Sequence, residues 1–288
     1  MSLTVKFLKY HGCGNDFILV DELDGEVIPE NFKGLFSTTV CRRRFSIGGD
    51  DVLYIVPSIL ADASMRVFEP DGSESDMCGN GIRCAGSYLF EKLGKRLVYI
   101  ETRVGVRKVE RVGESEVMVD MGSVKTRFRD LKDYVNLGFS DEDELINICL
   151  NFPVLGDVEL SIVNSGEPHV VIFVDDVESE NLSLYGDLIS KNRLIFPFGI
   201  NVNLVEVLGE ESIRVRTFER GVWDETLACG TGSVASVAVA KILGKISSGV
   251  VNVILGGGVL KVVLNGSSIY MIGPAVKVYE GVIRVDFI

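Results

Sequence analysis

Several things are scarce in this 288-residue chain, and each scarcity closes off a class of function. There are only two histidines, and no Cys-x2-Cys or His-x3-His pair occurs, so the usual ligand spacings of a zinc site are missing and no metal is expected. Basic residues are outnumbered: 29 Lys and Arg stand against 41 Asp and Glu, a formal charge of −12. Nucleic acids and anionic membranes require a basic face, so neither partner is expected. The one basic run, Arg42-Arg43-Arg44, is short and reads as a solvated face. No apolar run nears the roughly 20 residues of a membrane span. The nearest, Val234 to Leu243, is broken by Ser236 and Lys241. No basic start leads into an apolar N-terminal stretch, which makes the cytoplasm the expected location. Six cysteines without such a leader are expected as reduced thiols rather than a disulfide framework. No Gly-x4-Gly-Lys-Ser/Thr phosphate loop occurs either, and Gly256-Gly257-Gly258 leads into a strand pattern rather than a helix.

What is present is patterned. With 47% hydrophobic residues the chain can bury a sizeable core, and its length fits one large or two medium domains. Most segments alternate apolar and polar residues, as half-buried strands do; Ser212 to Phe218 and Val282 to Phe287 are examples. Two stretches turn helical instead. After Cys78, apolar residues recur at Ile82, Ala85, Leu89 and Leu93; after Cys229, Val234, Val237, Ala238 and Leu243 give a similar face. Both open with Cys-Gly-x-Gly and both end in Leu-Gly-Lys, at Gly94 and Gly244, where glycine suits a helix C-terminus.

The likeness extends outward at offsets of roughly 150 residues. Arg66-Val67-Phe68-Glu69 recurs as Arg216-Thr217-Phe218-Glu219, and Gly105-Val106-Arg107-Lys108-Val109 as Gly258-Val259-Leu260-Lys261-Val262. A weaker match sets Gly14-Asn15-Asp16-Phe17 against Gly166-Glu167-Pro168-His169. Matches in order at a near-constant offset predict an α+β fold of two pseudo-symmetric lobes. Each would be a mostly antiparallel sheet wrapped around a central helix. The expected lobes are residues 1–123, carrying Cys78, and 124–275, carrying Cys229. The acidic stretch Ser140 to Glu144 is expected near the connection.

A cysteine leading into a helix sits beside unpaired backbone N–H groups and the positive end of the helix dipole. Such a place favours thiolate over thiol, lowering a pKa that starts at about 8.5. The adjoining glycines let those N–H groups approach an anion closely. A substrate carboxylate bound there would gain stronger hydrogen bonds as its α-carbon loses a proton. Two such sites allow inversion of a stereocentre: one thiolate removes the proton while the other thiol returns one to the opposite face. The remaining thiols, Cys13, Cys41, Cys84 and Cys149, read as small buried hydrophobes.

At these residues the chain resembles the diaminopimelate epimerase family. The resemblance rests on His11 to Phe17, Asp71-Gly72-Ser73-Glu74, Met77 to Cys84, Pro168-His169, Asn201-Val202-Asn203, Glu219-Arg220-Gly221 and Glu225 to Gly232. It implies a cofactor-independent epimerase acting on a small amino acid, with Cys78 and Cys229 as the two bases. His169 and Glu219 would stand beside the thiols, and Asn15, Gly79, Asn80, Asn201, Glu219, Arg220, Gly230 and Thr231 would contact substrate. Arg220 suits a carboxylate bidentately. The resemblance also implies that the last strand, 276–288, returns to the N-terminal lobe, and it is compatible with a homodimer whose interface nothing in the sequence locates.

The chain departs from the family pattern at Asp51, Glu69 and Glu167, where amides are usual, and around Trp223-Asp224, where one residue is added. Carboxylates repel a distal substrate carboxylate and attract a distal ammonium. These acids therefore raise an alternative substrate, a diamino monocarboxylic acid such as lysine or ornithine; paired with Arg42–Arg44 or Arg220 they would leave specificity unchanged. Proline-racemase-like and phenazine-biosynthesis-like enzymes of the same superfold are rival readings, the latter generally without paired cysteines. A non-catalytic small-molecule binder is the remaining one.

Overall fold

In the computed structural model, the first compact unit is Met1–Asp120 together with Ile272–Ile288, and the second is Met121–Met271. Within these bounds residues 2–287 are described; Met1 and Ile288, the outer ends of the expected N-terminal lobe, lie outside the described residues. In chain order the elements begin with β1 (Ser2–Gly12), β2 (Asn15–Asp21), α1 (Lys33–Val40), β3 (Asp51–Val56) and β4 (Ala63–Phe68). There follow β5 (Glu74–Ser75), α2 (Gly79–Leu93), β6 (Leu97–Thr102), β7 (Gly105–Arg111) and β8 (Glu116–Gly122). Next come β9 (Ile148–Phe152), β10 (Gly156–Asn164), β11 (Pro168–Phe173), α3 (Leu182–Tyr185), β12 (Asn201–Gly209) and β13 (Ser212–Glu219). The chain closes with β14 (Asp224–Thr226), α4 (Gly230–Ile242), β15 (Val250–Leu255), β16 (Gly258–Asn265), β17 (Ser268–Pro274) and β18 (Val276–Asp286).

In the first unit, β1 pairs antiparallel with both β18 and β2, so the last long strand lies beside the first. Strand β2 runs parallel to β3, β3 antiparallel to β4, and β4 parallel to β6. The second unit repeats this order: β11 parallel to β12, β12 antiparallel to β13, β13 parallel to β15. The sheet is thus mixed, with antiparallel pairs predominating. The parallel pairs have a physical consequence, because parallel neighbours require a long crossover, usually helical. Helix α2 lies between β4 and β6 in the chain, and α4 between β13 and β15. The helices that carry the two cysteines are therefore crossover connections.

Helix α2 packs on β1, β6 and β7. Ile82, Ala85 and Leu89 are fully buried, whereas Leu93 of the last turn is 37% exposed. The other face of the same sheet covers α1: Val52, Tyr54 and Phe68 pack with Phe36, while the intervening Leu53 points to Gly81 of α2. Helix α4 is buried from Gly230 through Ala240, and its buried Ser233 and Ser236 hydroxyls donate to the backbone oxygens of Cys229 and Gly232. Gly94 adopts φ 67° and Gly244 φ 67°, the left-handed ends expected of both Leu-Gly-Lys turns.

The acidic stretch Ser140 to Glu144 does not lie at the division between units. It is inside the second, where Glu142 ion-pairs with Arg127 and Arg129. Among the described residues no helix is long and apolar enough to cross a membrane.

Candidate active site

Cys78 is the N-cap of α2, with extended backbone at φ −131° and ψ 115°. Its Sγ accepts the backbone N–H of Gly81 at 3.3 Å. A Cβ on Gly81 would fall 3.4 Å from that sulfur and 3.1 Å from Leu53 Cδ2, so a side chain here would press its neighbours back by a few tenths of an ångström. The Cys78 thiol also donates to Asn15 Oδ1 at 3.8 Å. Asn80 Nδ2 donates to the same oxygen at 3.0 Å, and Asn15 Nδ2 donates to Asp50 Oδ2 at 2.8 Å. Arg43 holds Asp50 in turn, at 2.7 Å, and Asp16 beside it. The basic run thus supplies a structural cation, Arg43, bound to Asp16 and Asp50. Asp51 itself is half-buried at the start of β3, opposite Phe17 of β2. Glu69, at the end of β4, accepts the Ser75 hydroxyl.

Cys229 caps α4 in the same way, at φ −116° and ψ 113°, and its Sγ accepts from Gly232 N at 3.4 Å. Here the surroundings differ. The thiol is buried and hydrogen-bonded to Glu219, the last residue of β13. Burial, followed by the Glu219 charge, pushes the Cys229 thiol well above its ordinary value, against the lowering effect of Thr231 and Gly232. The helix N-terminus was expected to favour thiolate at both cysteines; at Cys229 desolvation and a neighbouring carboxylate outweigh it. Glu219 also accepts the Thr226 hydroxyl, as Glu69 accepts Ser75 in the first unit.

His169 is fully buried on β11. Its Nδ1 faces the Asn203 amide nitrogen at 3.0 Å and its Nε2 faces Thr231 Oγ1 at 2.9 Å. The Thr217 hydroxyl donates to Asn203 Oδ1 at 2.9 Å, which fixes that amide with its NH2 toward His169. Nδ1 is then an acceptor, so the proton sits on Nε2 and is donated to Thr231. The Thr231 oxygen is in turn 3.5 Å from Cys229 Sγ. Burial, with Arg220 nearby, pulls His169 down to about 3, so the ring is neutral at physiological pH. Asn201 Oδ1 accepts the Arg220 backbone N–H at 2.9 Å, and the Arg220 guanidinium is ion-paired with Glu167.

Asn203, Thr217 and Arg83 were not singled out in the sequence. Asn203 lies two residues beyond Asn201 on the same strand face, a signal that strand alternation carries. Cys13, Cys41 and Cys84 are buried, but Cys149 is exposed. The reason is its outward position in β9, whose alternating burial places Phe152 rather than Cys149 inside.

The fold is the one shared by racemase-like and phenazine-biosynthesis-like proteins. A hydroxyproline epimerase from Agrobacterium vitis superposes with a TM-score of 0.69 at 14% identity, covering 99% of this chain and 93% of that one. A phenazine biosynthesis protein of the PhzF family from Bacillus anthracis gives 0.64 at 19%, over 97% and 99%. Sequence separates the chain from these. The diaminopimelate epimerase family profile matches residues 7–127 and 161–278. Diaminopimelate epimerase of Methanothrix thermoacetophila is 44% identical over 292 residues, covering 99% of this chain and 98% of the relative. That of Methanocella arvoryzae is 43% identical over 286 residues, 98% of each. The chain belongs to the diaminopimelate epimerase family.

Proposed function

We propose that this enzyme interconverts LL- and meso-diaminopimelate, an isomerase step of lysine biosynthesis, by removing the α-proton with one of Cys78 and Cys229 and returning a proton from the other. The observation that carries this reading is the paired placement of the two sulfurs. Each caps a crossover helix and receives a backbone N–H, in a chain 44% identical to a diaminopimelate epimerase. One thiolate removes the α-proton and the other thiol delivers a proton to the opposite face, so configuration inverts and the cysteines exchange protonation states. The two thiols supply both proton positions, and the reaction as read requires neither pyridoxal phosphate nor metal. Two copies of one lobe, each a sheet around a central helix, suit a reaction whose two directions are near mirror images. Catalytic thiols also need a reducing compartment, which is why the cytoplasm is the proposed location.

Glu219 holds the proton of Cys229, and His169 orients the Thr231 hydroxyl toward the same sulfur. Asn15, Asn80, Asn201, Arg220 and the N–H groups beyond Gly79 and Gly230 contact substrate in this reading. The acids that raised lysine or ornithine as substrate are partly accounted for within their own units, Glu167 by Arg220 and Glu69 by Ser75. Diaminopimelate is therefore the preferred substrate. Incubation with LL-diaminopimelate in heavy water should place deuterium at the α-carbon and yield the meso isomer. Cys78→Ser and Cys229→Ser should each abolish inversion. Failure to exchange the α-proton of diaminopimelate, with exchange of lysine instead, would overturn the substrate assignment.

A further inference from the structure

Beneath the first turn of α2 lies a fully buried arginine. Arg83 is 0% exposed, and its guanidinium reaches three oxygens of its own unit. Nε donates to Pro274 O at 3.2 Å, Nη1 to Gly79 O at 3.3 Å and Nη2 to Asn80 Oδ1 at 2.9 Å. Strand β1 makes room for it: a Cβ on Gly12 would fall 2.8 Å from Nη2. The corresponding place in the second unit, five residues after Cys229, is the buried Val234. The two cysteine helices thus differ by one buried positive charge.

That charge stands at one end of a polarised chain of amides. Arginine can only donate, so Asn80 must turn its oxygen to Arg83 and its NH2 away. The NH2 meets Asn15 Oδ1 at 3.0 Å. At the far end ionised Asp50 can only accept, and it takes the Asn15 NH2 at 2.8 Å. A donor-only group and an acceptor-only group therefore fix both amides, and leave the Asn15 oxygen directed at the Cys78 thiol.

We propose that Arg83 is a positioning residue for Cys78: it orients the Asn80–Asn15 amides so that the Asn15 oxygen receives the thiol proton and fixes the sulfur, while its buried charge offsets that acceptor and favours the thiolate. This inference rests on the proposed role of Cys78 as an acid–base group. The thiols whose charge Arg83 feels are Cys13, at the turn after β1, and Cys84 and Cys78 of its own helix. Burial raises Cys13 and pushes Cys84 up to about 12, which leaves the half-buried Cys78 at the helix N-terminus as the responsive partner. Other charged or titratable groups on elements packed against α2 include Lys9 and Tyr10 of β1, Asp16 and Asp21 of β2, Asp51 of β3, Arg66 of β4, Arg111 of β7 and Glu280 of β18, with Tyr88, Glu91 and Lys92 on α2 itself. Asp76, just before the cap, is 3.5 Å from Arg103. In the second unit the charged neighbour has the opposite sign: the Glu219 carboxylate holds the proton on Cys229.

The test is the pH dependence of iodoacetamide alkylation, read separately at Cys78 and Cys229 by peptide mass spectrometry, on the full-length protein. Arg83→Met should raise the Cys78 midpoint by about one pH unit, a typical size for losing one nearby opposite charge. Cys229 should keep its midpoint. Arg83→Lys, which keeps the charge but not the three-way donor set, should raise it by less than half as much while kcat falls roughly tenfold at little changed KM. An unchanged Cys78 midpoint in folded Arg83→Met overturns the proposal. Should that variant not fold, wild-type kcat in Arg83→Lys overturns it instead. These readouts are separate from the catalytic reading, which falls only if Cys78→Ser still inverts substrate.

Discussion

Cys78 and Cys229 share a cap geometry, a glycine N–H and a sequence motif, yet opposite charges act on them. Cys229 is buried against Glu219, and both burial and that carboxylate hold its proton on. Cys78 is half-buried and has Arg83 below it. Replacing Glu219 with Gln removes a negative charge while keeping a polar side chain. The Cys229 alkylation midpoint should then fall, since a like charge that opposed the thiolate is gone. Epimerisation should slow by roughly 10² or more, the usual scale for a group that manages a transferred proton. Joint measurement of the alkylation profile and kcat checks this; a Cys229 midpoint no lower than wild type would remove Glu219 from the role. That both cysteines begin helices could be read from Cys-Gly-x-Gly followed by helical spacing. Which charge acts on each could not, because Glu219 and Arg83 act through space and burial.

At the level of elements, the crossover helix α2 is pressed closely onto its sheet. A Cβ on Gly86 would lie 2.5 Å from Val109 Cγ1 of β7, well inside contact distance. Gly86→Ala gains helix propensity of about 1 kcal/mol. The clash opposes this, and overpacking of a tight core costs about 1–3 kcal/mol. The substitution should therefore be neutral to destabilising by about 2 kcal/mol, and adding Val109→Ala should recover much of any loss. Urea denaturation of the single and double variants would decide; a clearly stabilised single variant would show that β7 yields easily. The sequence displayed the helix and its apolar stripe, but Leu93, counted on that stripe, is in the exposed last turn. Periodicity gives a face, whereas the sheet's edge decides how far along the helix that face stays covered.

At the level of the whole molecule, the chain's last strand belongs with its first. Strand β18 pairs with β1 from Ser2 opposite Asp286 to His11 opposite Val276, and Val285 and Phe287 join the core under α1. A chain ending at Ala275 would strip β1 of one partner and that core of Val285, Phe287 and the half-buried Ile283 packed on it. Hydrogen exchange should then rise throughout β1, with β11 to β13 of the second unit retaining protection. Continued protection of β1 in the truncated chain would mean that β2 alone suffices to hold it.

The sequence alone was enough for what depends on local pattern. Alternation gave strands, three-and-four spacing gave the two long helices, and Leu-Gly-Lys gave their left-handed ends. The internal repeat foretold that one order of strand pairings occurs in each unit. The tertiary structure decided everything that depends on which distant groups meet. It turned Glu167 toward Arg220, paired Glu142 with Arg127 and Arg129, exposed Cys149, and set Glu219 and Arg83 beside different cysteines. The two capped thiols look alike in sequence because caps are local. Their surroundings differ because desolvation and charge are not.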